Sequence, residues 1–172
     1  MSAPPHSSKR VKLSENFYLD EFTRSEAAAR AGIEIVVDEG SDIHLALKRL
    51  CRNVLQPLRD VIGPITIWSG YRPDTVNRLV GGSFLSQHRF GQAADIVAAG
   101  LTPLDVCLKI ESMRLPFDQL IHEFGGWCHV SVPAAGIKPR RETLTAYKAG
   151  PDEATLYPKG LHSMATMKNL YG

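Results

Sequence analysis

Hydrophobic positions change period several times along the chain, and each change predicts an element. Ile43, Leu47, Leu50, Val54, Leu58 and Val61 recur at spacings of three and four, the stripe of an amphipathic helix. Ser41 or Asp42 can cap it, and Pro57 marks an interior kink. Ahead of it, Phe17, Leu19 and Phe22 lead into Ser25, Glu26 and an alanine run ending at Gly32, a short helix with a glycine stop. After Gly63 and Pro64, residues 65–68 are β-branched and aromatic, so the period switches to a strand that Ser69 and Gly70 close. Residues 74–80 read as a short helix stopped by Gly81 and Gly82, and residues 93–98 as a buried strand. Thr102 caps a helix opening at Pro103. Residues 117–124 and 127–132 are two strands around Gly125 and Gly126, a hairpin signal, and residues 141–148 one more edge strand.

This order predicts an α+β fold: an antiparallel sheet with helices packed on one face. Residues 1–13, with Pro4, Pro5, Lys9, Arg10 and Lys12, read as a flexible basic lead-in outside the core. Residues 14–149 form the domain, and residues 150–172 are a turn-rich C-terminal extension.

Composition narrows the picture. At 172 residues the chain holds one domain, and 44% hydrophobic against 22% charged residues is ordinary globular usage. The net charge of +2 is too small for a dedicated nucleic-acid binder. Cys51, Cys107 and Cys128 are odd in number and widely spaced, without a CxxC pair, so they read as packed core rather than a disulfide framework or zinc site. No run of about 18 apolar residues is present, so no membrane span is expected. The first 16 residues lack the apolar core of a signal peptide, which predicts synthesis in the cytoplasm without export by the usual route.

Candidate chemistry gathers around Asp95. An aspartate inside an apolar strand needs a salt bridge, a dense set of hydrogen bonds or a metal, because an unpaired buried carboxylate costs several kcal/mol. His88 precedes it in a loop, and His129 is a second polar residue inside a strand. Two histidines and one carboxylate are the donor set of a zinc site with one open position.

Three separated segments then agree in order and spacing: Tyr71 and Arg72 after the strand ending at Gly70; Ser86-x-His88-x-x-Gly91-x-Ala93-x-Asp95; and Trp127-x-His129-Val130-Ser131. With them the chain resembles the zinc D-Ala-D-Ala carboxypeptidase family of peptidoglycan metallopeptidases, which shares its fold with the hedgehog signalling domain. The resemblance runs from about Phe17 to Tyr147 and is strongest to short peptidases of bacteriophages and prophages. It implies that His88, Asp95 and His129 bind zinc and that Arg72 holds a substrate carboxylate or carbonyl, with Tyr71, Ser86 and Trp127 as further substrate contacts. A guanidinium fork suits that task through two parallel bonds. The implied substrate is the stem or cross-bridge peptide of bacterial peptidoglycan.

A zinc peptidase also needs a group that takes a proton from water and passes it to the leaving amine. Many relatives place this acid three residues before the last histidine ligand, where this chain has Gly126. The hedgehog-like branch has a glutamate six residues before, the spacing of Glu123 to His129. A three-residue hairpin loop over 124–126 sets Glu123 opposite Trp127 and on the face of His129. A two-residue Gly125–Gly126 turn pairs His122 with His129 and aims Glu123 away, so the assignment requires the odd loop. Cys128 faces the other side of the strand, and Trp127 either walls the groove or buries itself. Ser83 joins Ser86 as a loop serine able to bond ligands or substrate.

The reading is a zinc-dependent, endolysin-like cell-wall hydrolase, acting on the wall after release at lysis or as part of a phage particle. Two rivals stand beside it: a virion component in tail or capsid that carries the domain among other phage proteins, and a non-catalytic, zinc-stabilised binding module.

Overall fold

The computed structural model describes residues 10–172. Two short helices, α1 (Leu19–Phe22) and α2 (Glu26–Arg30), come first, and the Ser25 hydroxyl caps α2 by accepting from the Ala28 N–H at 3.2 Å. The long apolar stripe forms α3 (Asp42–Leu50) and α4 (Gln56–Ile62), joined by a π-helical turn over Cys51–Leu55. The kink expected at Pro57 takes this form because proline lacks an N–H and crowds the preceding turn. Gln56 donates instead to the Cys51 carbonyl, five residues back. Ser41, rather than Asp42, caps α3.

β1 (Ile65–Ser69), β2 (Ala93–Ala98), β3 (Gln119–Glu123), β4 (Trp127–Ser131) and β5 (Glu142–Ala146) build one sheet in the order β1-β2-β4-β3-β5. Between β1 and β2 lie α5 (Asp74–Leu79) and a 3₁₀ turn over Gln87–Phe90; α6 (Pro103–Ser112) follows β2, and α7 (Met164–Tyr171) ends the chain. The pairings among β1, β2, β4 and β3 are antiparallel as expected, whereas β5 joins β3 in parallel. Asp118 sets that parallel edge. Its carbonyl accepts from the Glu142 N–H and its carboxylate from the Arg140 N–H, both at 2.9 Å, so the chain returning from β4 is delivered to the start of β3.

One sheet face and the helices share a single core. Ile96, Leu120, Cys128 and Val130 from the sheet meet Leu47, Leu50, Val54 and Leu58 from the kinked helix, Val106 and Ile110 from α6, and Phe17 and Phe22, all buried. Each such side chain contributes about 1.5–3 kcal/mol relative to exposure. The three cysteines are buried and free, as their spacing predicts. Leu13, which composition assigned to the lead-in, is 1% exposed and belongs to this core, and Arg10 pairs with Asp20 at 2.8 Å. The folded unit therefore takes in the end of that segment; its residues 1–9 lie outside the described residues. Among the described residues no helix is long and apolar enough to cross a membrane.

Candidate metal centre and groove

The other sheet face carries the polar residues, and its local backbone explains why. Asp95 on β2 lies directly opposite His129 on β4, so alternation turns both side chains to one face while Ile96 and Cys128 turn to the core. On β1 the register slips: Ile67 pairs with Ile96 but Ser69 with Asp95, leaving Trp68 as a bulge residue with 66% of its surface exposed. The bulge re-aims the strand end, so Ser69 joins the polar face although Ile67 belongs to the core. Arg72 follows, its Nε donating to Ser69 Oγ at 2.9 Å.

His88 comes from the 3₁₀ turn, which Gly91 closes with φ 64°. A side chain at Gly91 would strain that left-handed backbone, and its Cβ would lie 2.9 Å from the Ile43 carbonyl oxygen of α3. Two anchors fix the imidazole. Its Nδ1–H donates to the Gly70 carbonyl at 2.7 Å, and the His88 carbonyl accepts from the Arg72 N–H at 3.1 Å. Nε2 is thereby left to face the cluster as an acceptor.

His88 Nε2, Asp95 Oδ1 and His129 Nδ1 form a triangle with edges of 3.2, 2.9 and 3.2 Å. Tetrahedral zinc with bonds of about 2.0–2.1 Å sets its ligand atoms about 3.4 Å apart. The three buried donors thus fit such an ion with only small adjustment. The Arg72 Nη2 donates to Asp95 Oδ2 at 2.5 Å, while its Nη1 has no hydrogen-bond partner among the described residues. Burial pushes the Asp95 carboxyl up, but His88 and His129 beside it hold it well below the usual carboxylate range.

The hairpin has the odd loop. Glu123 pairs with Trp127, Phe124 and Gly125 both take left-handed backbone, and the Gly126 N–H closes the turn on the Glu123 carbonyl at 2.8 Å. Glu123 therefore shares the face of His129. Burial and then Asp95 lift its carboxyl above the ordinary value, against the opposing pull of His129, Arg72 and Trp127. His122 points to the opposite face, where it is buried and its Nδ1–H donates to the His162 carbonyl at 2.8 Å.

The donors and Glu123 open on a groove of about 970 Å³. Arg72, Ser83, Ser86 and Trp127 are among its lining residues, and the buried Trp127 Nε1–H, close to the Glu123 carboxylate, makes no well-aligned hydrogen bond among the described residues. Tyr71 is a correction: it packs against the hydrophobic core. Its N–H is tied to the Phe22 carbonyl at 2.8 Å, which turns its ring to the core side just where Arg72 turns to the site. Sequence reasoning missed Trp68, Gln87, Gln119, Arg140, Thr155 and Tyr157 in the lining. A charged residue at the start of a strand, Asp118, was the one available signal for the Gln87 and Arg140 pairings; nothing in the aperiodic tail signalled Tyr157.

A buried donor set of two histidines and a carboxylate, open on one side to a groove and flanked by a carboxyl lifted by burial, could hold a single metal ion with one position open. A family model described as peptidase M15 matches residues 15–131, a span containing all three donors, Arg72 and Glu123. The chain belongs to the peptidase M15 family, whose peptidases are zinc-dependent. No curated protein matches the chain.

Proposed function

We propose that this chain is a zinc-dependent peptidase that hydrolyses stem or cross-bridge peptides of bacterial peptidoglycan, working as an endolysin-like cell-wall hydrolase of phage or prophage type. The observation that carries the reading is the conjunction of a zinc-sized donor triangle with Glu123 on the same face of the adjoining strand. His88, Asp95 and His129 hold the ion, which when bound supplies Lewis-acid activation of water and of a peptide carbonyl. Glu123 takes a proton from the attacking water and returns it to the leaving amine; a lifted carboxyl pKa suits a group that must do both. Arg72 keeps Asp95 in place through Nη2 and offers Nη1 to a substrate oxygen in the groove. Ser86 and the Trp127 indole N–H are further donors for the peptide main chain.

The test is zinc stoichiometry together with fragment release from purified peptidoglycan, for the wild type and Glu123→Gln. The expected result is one zinc in each protein and a loss of release in the variant of about 10² to 10⁴-fold. Equal release by both proteins would remove Glu123 from its role. A wild type that holds zinc yet releases nothing favours the binding-module reading instead. Copurification with phage particles separates a virion-borne enzyme from a free lysis enzyme.

A further inference from the structure

The chain beyond residue 131 lies outside the family match, yet it builds one side of the groove. Bridges pair Leu144 with Lys159 and Tyr147 with Leu156, so residues 156–159 run antiparallel along the free edge of β5. Four main-chain bonds hold them: Tyr147 and Leu156 exchange N–H···O bonds at 3.0 and 2.8 Å, the Thr145 N–H reaches the Pro158 carbonyl at 3.0 Å, and the Gly160 N–H reaches the Thr143 carbonyl at 2.8 Å. Between the two bridges this register sets Tyr157 opposite Ala146. Ala146 is opposite Glu123, and Glu123 opposite Trp127. Trp127, Glu123, Ala146 and Tyr157 therefore form one cross-strand row on the groove face. The buried Ala146 methyl is short, which leaves the half-exposed Tyr157 ring room above it beside Glu123. Burial and the Glu123 carboxylate both push the Tyr157 phenol up, keeping it a neutral hydroxyl.

The row also gives the groove a direction. The metal donors lie on β2, β4 and the 3₁₀ turn, and Glu123 lies one strand further along on β3. Because Glu123 delivers its proton to the leaving amine, the peptide beyond the cleaved bond continues outward over β3 and β5. Its floor is the register pair Ile121 and Leu144, and its end wall is Tyr157. The cation that lines the groove on that side, Arg140, is already engaged by the Asp118 carboxylate through Nε at 3.0 Å and Nη2 at 2.7 Å, and by Glu142 at 3.4 Å; Lys159, opposite Leu144 at the outer edge, is exposed and not part of the lining. With two carboxylates against this guanidinium, the groove lining at this end, among the described residues, has no unpaired positive charge for a terminal carboxylate.

We propose that residues 155–158 form the leaving-group subsite and that Tyr157 is its specificity-determining residue, accepting the small alkyl side chain of an internal rather than a C-terminal peptide residue. The proposal rests on the peptidase reading above and deepens it toward endopeptidase action. It is tested with the zinc-loaded full chain on a peptidoglycan stem pentapeptide offered as the free acid and as the same peptide extended by a C-terminal glycinamide. The wild type should favour the extended peptide by about tenfold or more in kcat/KM. Tyr157→Ala should raise KM for that peptide about tenfold, with kcat and zinc content kept, and Tyr157→Phe should behave as wild type. A preference for the free acid, an unchanged KM in Tyr157→Ala, or a Phe variant as impaired as the Ala variant would each overturn the proposal while leaving the peptidase reading intact. A wild type inert on every peptide would overturn both.

Discussion

Two buried aspartates flank the groove, each paired with an arginine, and they are surrounded by opposite chemistry. Asp118, ahead of β3, is surrounded by donors: the Arg140 N–H at 2.9 Å, Arg140 Nε and Nη2 at 3.0 and 2.7 Å, and Gln87 Nε2 at 3.0 Å. Asp95 has one guanidinium contact from Arg72 and otherwise faces two imidazole nitrogens. His88 spends its Nδ1–H on the Gly70 carbonyl, so it is Nε2 that faces the Asp95 carboxylate. Asp118 is satisfied by the protein alone. Asp95 instead shares one oxygen with two imidazole nitrogens, a set that either a proton or a divalent cation can bind together. Burial and an arginine partner are common to both, so neither marks a ligand. What marks one is a carboxylate gathered with other metal-binding atoms, here two imidazole nitrogens, rather than with guanidinium and amide N–H groups alone.

The strongest way to break this contrast is Asp95→Ala. The expected outcome is zinc content near zero in the purified protein and a fall in peptide hydrolysis of more than about a thousandfold, read by metal analysis and kinetics. A variant that kept its full metal would mean that Asp95, like Asp118, is structural.

Asp118→Asn should do the reverse: zinc content unchanged and stability reduced by about 2 kcal/mol, the scale of a hydrogen bond to a charged group. The pH dependence sharpens the point. Burial lifts the Asp118 carboxyl, but Arg140 and Gln87 outweigh it and hold the group below its ordinary value. A depressed carboxyl stabilises the fold at pH above its unfolded pKa of about 3.9 and loses that contribution as pH falls through the folded value. The stability gap between wild type and Asp118→Asn, measured by denaturant unfolding, should therefore be full at neutral pH and close progressively below about pH 4. A gap that stayed constant down to the most acidic condition that leaves the protein folded would remove the ion pair as its cause.

The contrast also explains what was legible in the sequence. The donor set could be read because its residues interrupt apolar strands: Asp95 within a buried run and His129 within an alternating one announce themselves as misplaced polar groups. Glu123 comes from its six-residue spacing to His129 in the resemblance, and that assignment requires the odd loop that the hairpin has. The parallel attachment of β5 could not be read, because strand periodicity is the same in either direction and the choice depends on Asp118 contacts more than 20 residues away in sequence. Tyr157 was hidden for a related reason. It gains its place from the main-chain register of an edge that contains Pro158 and has no hydrophobic alternation of its own. Tyr71 as a substrate contact rests on the resemblance alone; the bond from its N–H to the Phe22 carbonyl, which accompanies its packing on the core, is a long-range contact that leaves no compositional trace.

The smallest expected effect asks whether the two aspartate regions communicate. Ser131, fully buried two residues after His129, donates from Oγ to Gln87 Oε1 at 2.7 Å and accepts from the Gln119 N–H at 3.0 Å; Gln87 in turn donates to Asp118 and adjoins His88. A route from the structural carboxylate to a metal donor therefore exists in bonds. His88, however, is held independently, by the Gly70 carbonyl on its ring and by the Arg72 N–H on its own carbonyl. Removing the hydroxyl should disturb Gln87 far more than the imidazole. Ser131→Ala is accordingly expected to lower stability by about 1 kcal/mol, with zinc affinity within about threefold of wild type by competition with a chelator. Partners that truly orient a metal ligand typically change affinity by about 10 to 100-fold when removed. A loss in that range would make Ser131 and Gln87 part of the metal centre and would join two sites that their local anchors otherwise keep separate.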